Sequence, residues 1–429
     1  MDVPLAHLDR PFDYLVPAEL DDVAVPGTRV KVRFAGQLVD GWLLSRADDS
    51  GHTGRLAYLE KVVSPEPVLA PEIARLARAV ADRYAGSLAD VLRLAVPPRH
   101  ARVEKEPRDD DPAAVAPAAE PTAAEPTADP VDPRGWRDYP TGPALLRALT
   151  DGRAPRAVWS ALPGEDWAAR YADAVAATVA GGRGAVVVVP DARDLDRLDA
   201  ALTTVLGPGR HVSLSAALGP ARRYRAFLAA RRGRVPVVIG TRAAMFAPVD
   251  RLGLVAIWDD GDDLHSEPRA PYPHARDVLL TRAQLAEAGA LVGGFARTAE
   301  AQLLLETGWA REVVADRATV RARVPAIAPT GDDPQLARDP GAATARLPSL
   351  AWTAARDAVR ADLPVLVQVP RRGYLPSISC ADCRTPARCA HCAGPLALPS
   401  AGGTPACRWC ARVAAAYACP QCGGRRLRA

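Results

Sequence analysis

Cysteine is missing from the first 379 residues of this 429-residue chain, which excludes a disulfide-stapled secreted fold for most of the molecule. Long apolar runs are missing too. Stretches such as Ala185–Val189 and Pro364–Val367 are strand-sized, whereas a bilayer span needs about 20 apolar residues. The N-terminus, Met1-Asp2-Val3-Pro4, has neither the basic nor the apolar region of a signal peptide. We therefore expect a cytoplasmic protein with no membrane partner.

Lysine is scarce as well, with only Lys31, Lys61 and Lys105 among 54 basic residues. The many arginines and alanines are explained by GC-rich coding more simply than by selection for nucleic-acid contacts. A net charge of +4 is also a small excess for 429 residues. Composition alone therefore does not predict a nucleic-acid partner.

The cysteines that are present form four C-x-x-C pairs near the end of the chain. Two such turns can surround one Zn²⁺ with four thiolates, so the pattern predicts two zinc ions. A disulfide framework suits small secreted domains, and iron–sulfur sites use less regular spacings. The pairs are Cys380/Cys383, Cys389/Cys392, Cys407/Cys410 and Cys419/Cys422.

The spacing between pairs bears on which cysteines share an ion. Five residues separate the first two pairs, which is short for turning back onto one metal, whereas the fourteen residues between Cys392 and Cys407 can form a hairpin. This favours a nested arrangement and leaves a crossed one open. Four thiolates leave no position for water, so both ions are predicted to be structural. The nested sets are Cys389, Cys392, Cys407, Cys410 (inner) and Cys380, Cys383, Cys419, Cys422 (outer).

Upstream, the chain divides by composition. Residues 1–103 combine short alternating segments with turn signals, which predicts a small β-rich domain that ends in a helix over Pro71–Leu92. Residues 104–135 are rich in Pro, Ala, Asp, Glu and Thr, and they predict an extended acidic linker.

Strands alternate with amphipathic helices in residues 136–345, which predicts an α/β domain with a mainly parallel sheet. A helix near Leu350–Ala361 and a strand that starts at Pro364 predict a further α/β segment over residues 346–379. The cysteine-rich module then occupies residues 380–424. The fold class is thus multidomain α/β with a β-rich first domain.

Several motifs upstream of the cysteines carry a family resemblance. They are Pro11–Pro17, Gly27–Phe34, Gly240–Pro248 with Leu252–Leu254, His274–Asp277, and Arg371–Tyr374. With the cysteine pairs, they resemble the PriA family of replication restart proteins, which are superfamily 2 helicase-type proteins with RecA-like lobes. The resemblance implies that residues 1–103 form a domain for the 3′ end of a nascent strand. It further implies that 136–345 are the first helicase lobe, that 346–379 begin the second, and that the cysteines bind two zinc ions in the nested pairing.

The resemblance assigns Phe12 and Asp13 to the pocket for the terminal nucleotide, where an aromatic ring stacks on the base and a polar group meets the 3′-hydroxyl. Lys61 is a candidate phosphate contact. The alternative is that Phe12 is a core residue and Asp13 a turn cap. A pocket glycine of the family falls at Ala35, with Gly36 beside it.

The helicase motifs are degenerate. A phosphate loop needs glycines and a terminal Gly-Lys-Thr, but Ala161–Ala168 carries Trp167 at the lysine position and Ala168 at the hydroxyl position. Glu165 and Asp166 would repel phosphate oxygens. We therefore expect neither ATP nor Mg²⁺ as a cofactor, and no catalytic residue is predicted.

Two further helicase motifs have also lost the residues that the family uses with nucleotide. The acidic box is Trp258–Gly261, and the coupling motif is Gly294–Arg297. Asp259, Asp260, Asp262 and Asp263 are expected to form a charged, solvated loop rather than a magnesium site.

Together these features predict a nucleoid-associated replication restart protein that binds abandoned forks without ATPase or helicase activity. Expected partners are forked DNA with a nascent 3′ end, single-stranded DNA, primosome and helicase-loading proteins, and single-stranded-DNA-binding protein. One alternative is an active ATP-dependent 3′-to-5′ helicase, and another is a zinc-ribbon adaptor without a fork role. Because the chain ends soon after Cys422, we also expect a C-terminally truncated fragment.

Overall fold

The computed structural model describes residues 2, 5–106, 133–329, 337, 339, 347–368, 377–400 and 402–428. It divides into two compact units, Met1–Pro325 and Ala326–Ala429. Most of the predicted linker 104–135, and the motif Arg371–Tyr374, lie outside the described residues. The predicted domain bounds within these units stay a prediction.

The first unit begins with a three-stranded antiparallel sheet in the order β2-β1-β3. Val30 and Val32 point into a small core. Ala35 and Gly36 have φ values of 48° and 79°, so the link between β1 and β2 is a tight hairpin turn. The strands are β1 Arg29–Phe34, β2 Gln37–Trp42 and β3 Leu59–Val62.

The helix predicted over Pro71–Leu92 is two helices, so this prediction was wrong in detail. The first helix ends before Ala85, whose φ of 50° breaks the helical path. Ser87 then starts the second helix by accepting a hydrogen bond from the Asp90 N–H. The helices are α1 Pro71–Arg83 and α2 Leu88–Ala95, followed by α3 Ala101–Glu104.

A seven-stranded sheet dominates the rest of the unit, and every pairing in it is parallel, which confirms the predicted fold class. Its order is β10-β4-β9-β8-β5-β7-β6. The strands are β4 Arg156–Ser160, β5 Gly184–Val188, β6 His211–Leu214, β7 Val237–Gly240, β8 Leu252–Trp258, β9 Gly289–Gly294 and β10 Arg311–Val313.

Helices cover both faces of this sheet, so its central strands are buried on both sides. In β5, Val186 and Val188 pack into one hydrophobic cluster with α1 and α2, while Ala185 and Val187 pack into another with α5 and α6. The helices are α4 Gly142–Thr150, α5 Trp167–Ala180, α6 Ala192–Leu206, α7 Pro220–Arg231, α8 Ala275–Leu285, α9 Ala299–Glu306 and α10 Arg317–Arg323.

Within the described residues of the first unit, short 3₁₀ helices occur at six places. They are Ala6–Leu8, Ala18–Leu20, Pro133–Trp136, Ala216–Leu218, Arg242–Ala244 and Asp263–His265.

The second unit contains one described helix, α11 Ser349–Arg360, and four two-residue strands around the cysteines. The strand predicted from Pro364 is not formed over 364–368, because these exposed residues pair with no strand among the described ones. No described helix combines the length and apolar character needed to cross a membrane. The strands are β11 Ser379–Cys380, β12 Leu396–Ala397, β13 Ala406–Cys407 and β14 Leu427–Arg428.

Candidate functional site

Phe12 lies at the surface of the first domain and is only partly buried. Its ring packs edge-on against Phe34, with centroids 5.3 Å apart, and the Arg10 guanidinium lies 5.1 Å from its centroid. Asp13 is exposed and accepts a hydrogen bond from the Ser50 hydroxyl at 2.5 Å. The site therefore presents an aromatic ring, a cation and a carboxylate at one surface, and Ser50 is a member that the sequence did not reveal.

Lys61 lies on β3, directly opposite Lys31 of β1. Lys31 is paired with Asp40 at 3.0 Å, whereas Lys61 is exposed and forms no ion pair with any described residue. Leu15 ties the Phe12 segment to the start of β3 through backbone bonds to Ala57 and Leu59. These bonds hold the Phe12 segment next to β3. Phe12 and Asp13 themselves contact residues other than Lys61.

The loop between β4 and α5 is the stretch that the sequence predicts to correspond to a phosphate loop, and aromatic rings pack around the start of α5. Trp167 is 1% exposed and stacks on Trp258, with centroids 4.7 Å apart and an interplanar angle of 8°. Trp159 and Tyr171 pack around the same pair. Arg197 lies 5.2 Å from the Trp167 ring. A buried side chain thus occupies the position that a phosphate-binding lysine would need.

The N-terminus of α5 would attract an anion, because its first N–H groups have no intrahelical partner. Here the Asp166 carboxylate accepts the Ala169 N–H at 3.3 Å. Glu165 accepts the Tyr139 hydroxyl at 2.9 Å and lies 3.7 Å from Arg170. The Asp166 carboxylate therefore supplies negative charge at the helix N-terminus, while Glu165 is engaged by Tyr139 and Arg170.

The aspartates after β8 do not all form a solvated loop, so that expectation was wrong for Asp260. Asp260 is 3% exposed, pairs with Arg276 at 2.8 Å and accepts the Thr298 hydroxyl at 2.8 Å. Its carboxylate is therefore already engaged. Asp259 remains partly exposed, and burial together with the neighbouring Asp262 raises its pKa.

The eight cysteines come together as two groups of four in the nested arrangement. Within each group all four sulfurs lie within 4.8 Å of one another. Across each group the sulfurs pair at 3.6 Å (Cys380–Cys422), 3.5 Å (Cys383–Cys419), 3.8 Å (Cys389–Cys410) and 3.4 Å (Cys392–Cys407). A tetrahedral ZnS₄ site with Zn–S near ~2.3 Å requires about 3.8 Å between sulfurs. Both groups therefore fit a zinc ion.

The same backbone turn is built four times around these sulfurs. The residue after each second cysteine has a positive φ, and its N–H bonds to the carbonyl of the first cysteine at 2.8–3.0 Å. Two of the four repeats also point a backbone N–H at a sulfur, since His391 N and Trp409 N each lie 3.4 Å from one. The turn residues are Arg384 (64°), Ala393 (58°), Ala411 (60°) and Gly423 (72°).

These turns favour thiolates, which are the form that binds a metal. Hydrogen bonds from the backbone N–H groups of Cys410 and Trp409 lower the pKa of Cys407 to about 6. Bonds from Thr385 lower that of Cys383 to about 6. Each group of four therefore contains at least one sulfur that is readily deprotonated near neutral pH.

The sequence matches one family model and several curated proteins. The family model of the PriA 3′ DNA-binding domain matches residues 1–97. A Mycobacterium tuberculosis protein described as a probable replication restart protein PriA is 56% identical over 425 residues, covering 99% of this chain and 63% of the relative. The replication restart protein PriA of Treponema pallidum is 26% identical over 428 residues, covering 98% of this chain and 61% of the relative.

Among solved structures, the helicase MrfA aligns with 54% of this chain and 39% of its own at 13% identity. Its TM-score of 0.31 is too low to support a conclusion. The chain spans less than two thirds of the curated relatives it matches, 63% and 61% in these two cases. By sequence, this chain resembles the PriA replication restart family along 425 residues, with that family's 3′ DNA-binding domain at residues 1–97.

Proposed function

We propose that this chain acts in replication restart by binding abandoned forks at the 3′ end of a nascent strand, without hydrolysing ATP. In this role it is a platform on which primosome and helicase-loading proteins assemble. The match of residues 1–97 to a 3′ DNA-binding domain supports the choice of ligand. The surface that combines Phe12, Asp13 and Ser50 supports the same choice, because a stacking ring and a hydroxyl-binding carboxylate suit a terminal nucleotide.

The Trp167–Trp258 stack is the observation that carries the non-hydrolytic part of the proposal. Phosphoryl transfer depends on a lysine, a magnesium-binding hydroxyl and backbone N–H groups that face the phosphates. Trp167 and Ala168 are both buried, and the helix N-terminus is capped by Asp166. An ATP phosphate would have to displace a packed indole and two carboxylates at once.

In the proposed function both zinc ions would have a structural role. Each of the two groups of four cysteines would hold one ion and order a segment with a small apolar core of its own. The rigid surface around them is available for single-stranded DNA or for partner proteins such as single-stranded-DNA-binding protein. We expect the protein to work in the cytoplasm, at the nucleoid.

Fork binding and ATP hydrolysis, measured side by side on the full-length protein, test the proposal. We expect tighter binding to a fork with a free 3′-hydroxyl at the junction than to one with a 3′-phosphate. Asp13→Ala should remove most of that preference, while Asp22→Ala, another exposed aspartate of the domain, should keep it.

Each of the other outcomes contradicts a separate part of the proposal. DNA-stimulated ATP hydrolysis would support an active helicase instead. Equal binding to both forks by the wild-type protein would support an adaptor without a fork role.

A further inference from the structure

An exposed tryptophan lies on the inner cysteine group, in the turn between Cys407 and Cys410. The Trp409 side chain is 71% exposed. It lies against Gly394, where an added Cβ would come within 3.0 Å of the indole atoms Cγ and Cδ2. Because only glycine leaves this room, the ring lies against the backbone at Gly394 while most of its surface faces solvent.

Three exposed arginines lie on the backbone segments that flank the Trp409 turn. Arg388, Arg408 and Arg412 are exposed and form no ion pair with any described residue. Their backbone is tied to the same turns, since Arg408 N bonds to Pro395 O at 3.0 Å and Cys407 N bonds to Arg412 O at 2.9 Å. From residue 384 to residue 429 the sequence contains no aspartate or glutamate.

A second exposed tryptophan shows what distinguishes Trp409. Trp352 in α11 is 59% exposed, but the arginines of that helix, Arg356 and Arg360, lie within 3.7 Å of Asp357. The positive charge of the arginines near Trp352 is therefore partly neutralised by Asp357. Trp409 instead combines an open aromatic ring with uncompensated guanidinium groups, which suits a ligand with both a π surface and negative charge.

We propose that Trp409 is a stacking platform for a base of single-stranded nucleic acid, with Arg408 and Arg412 contacting the adjacent phosphates. Stacking on an aromatic ring is tolerant of sequence, because every base has a π face. The backbone N–H of Trp409 donates to the Cys407 sulfur at 3.4 Å, so the turn that would hold a zinc ion also fixes the backbone that carries the ring. The inference rests on the proposed DNA-binding function and assigns it a second contact surface, separate from the 3′-end site.

Circular single-stranded DNA tests the platform by itself, because it has no ends for the Phe12 site. On the zinc-loaded full-length protein, Trp409→Ala should weaken binding about 5- to 150-fold, which corresponds to the ~1–3 kcal/mol of one stacked base. Trp409→Phe should retain most of the affinity. Arg408→Gln and Arg412→Gln should each reduce the salt dependence of log K by about 0.7.

Trp352→Ala is the matched control and should bind as wild type does. Trp409→Leu keeps apolar bulk against Gly394 but removes the ring, and it should bind as weakly as Trp409→Ala while retaining two zinc ions. Wild-type affinity in Trp409→Leu would overturn the proposal, as would an equal loss in Trp352→Ala. If the wild-type protein shows no 3′-hydroxyl preference on forks but still binds circular DNA through Trp409, only the 3′-end proposal is contradicted.

Discussion

The indole rings of Trp167 and Trp258 lie face to face, with their centroids 4.7 Å apart. Trp167 is the first residue of α5 and Trp258 the last of β8, so the stack joins the two elements whose ends would flank a nucleotide. Phe295 packs edge-on against the same ring of Trp258 at 5.1 Å. Three aromatic rings therefore pack together at this edge of the sheet, where we propose that no nucleotide binds.

Placing a lysine at position 167 should not restore ATP hydrolysis. Trp167→Lys removes a fully packed ring and buries a charge, so we expect the free energy of unfolding to fall by at least about 3 kcal/mol. Urea unfolding and a DNA-stimulated ATPase assay measure both effects. Trp352→Lys, at an exposed tryptophan, should cost about 0.5 kcal/mol or less. A stable Trp167→Lys protein with ATPase activity would contradict the proposal that the packing around Trp167 prevents ATP hydrolysis.

Zinc content should be two ions per chain and should fall stepwise with single cysteine changes. Cys389→Ala removes an inner ligand and should leave about one ion, held by the outer group, because the groups share no cysteine. Cys383→Ala should leave about one ion in the inner group. Metal release measured with a colorimetric chelator distinguishes these outcomes. In a crossed pairing Cys389 and Cys407 would hold different ions, so changing both to alanine would remove both ions, whereas the nested pairing predicts that one ion remains.

Replacing an alanine that has a positive φ with glycine should make a zinc turn retain its ion more strongly. Ala411 has φ 60°, which costs a non-glycine residue about 1–2 kcal/mol, and the added flexibility of glycine offsets part of that gain. Ala411→Gly should therefore strengthen zinc retention about 2- to 5-fold in chelator competition, since folding and binding are coupled. Gly423→Ala should weaken it by a similar factor. Ala415→Gly, outside the positive-φ positions, should bring no gain.

Acid should destabilise the first unit through His265. Burial lowers the pKa of this histidine, whose Nε2 lies 2.9 Å from the Trp258 carbonyl, despite the opposing effect of Asp259, Asp260 and Asp262. The unfolded chain therefore takes up the proton first. Stability is full above about pH 6.5 and falls as the pH drops below that value toward the folded-state pKa.

His265→Gln should flatten this dependence. The glutamine amide can still donate to the Trp258 carbonyl, but it has no charge to gain. Unfolding free energies between pH 7.5 and pH 5 measure the slope, and His52→Gln, at an exposed histidine, should keep the wild-type slope. An unchanged slope in His265→Gln would contradict the prediction.

Lys61 should contribute to DNA affinity without contributing to end recognition. Lys61→Gln removes one exposed cation, so the salt dependence of log K should fall by about 0.7–0.9 while the 3′-hydroxyl preference is kept. Lys105→Gln, at another exposed lysine of the same unit, should leave both quantities unchanged. Fluorescence anisotropy at several salt concentrations measures the slope.

The sequence alone determined the features that depend on local spacing. Four C-x-x-C pairs predicted metal turns, because two residues between cysteines suffice to aim both sulfurs at one ion. The alternation of apolar runs and amphipathic helices predicted the parallel sheet, since a strand buried on both faces must be apolar throughout, as β8 is. The altered residues Trp167 and Ala168 predicted a defective nucleotide site.

The tertiary structure decided what depends on residues far apart in the chain. Ser50 meets Asp13 across 37 positions, and Arg276 meets Asp260 across 16. No local pattern contains such partners. The structure also brought Cys380 to Cys422, which spacing favoured but left open, and it placed Trp258 against Trp167. Only the three-dimensional packing shows that Trp167 is stacked on another ring, which the substitution in the sequence does not reveal.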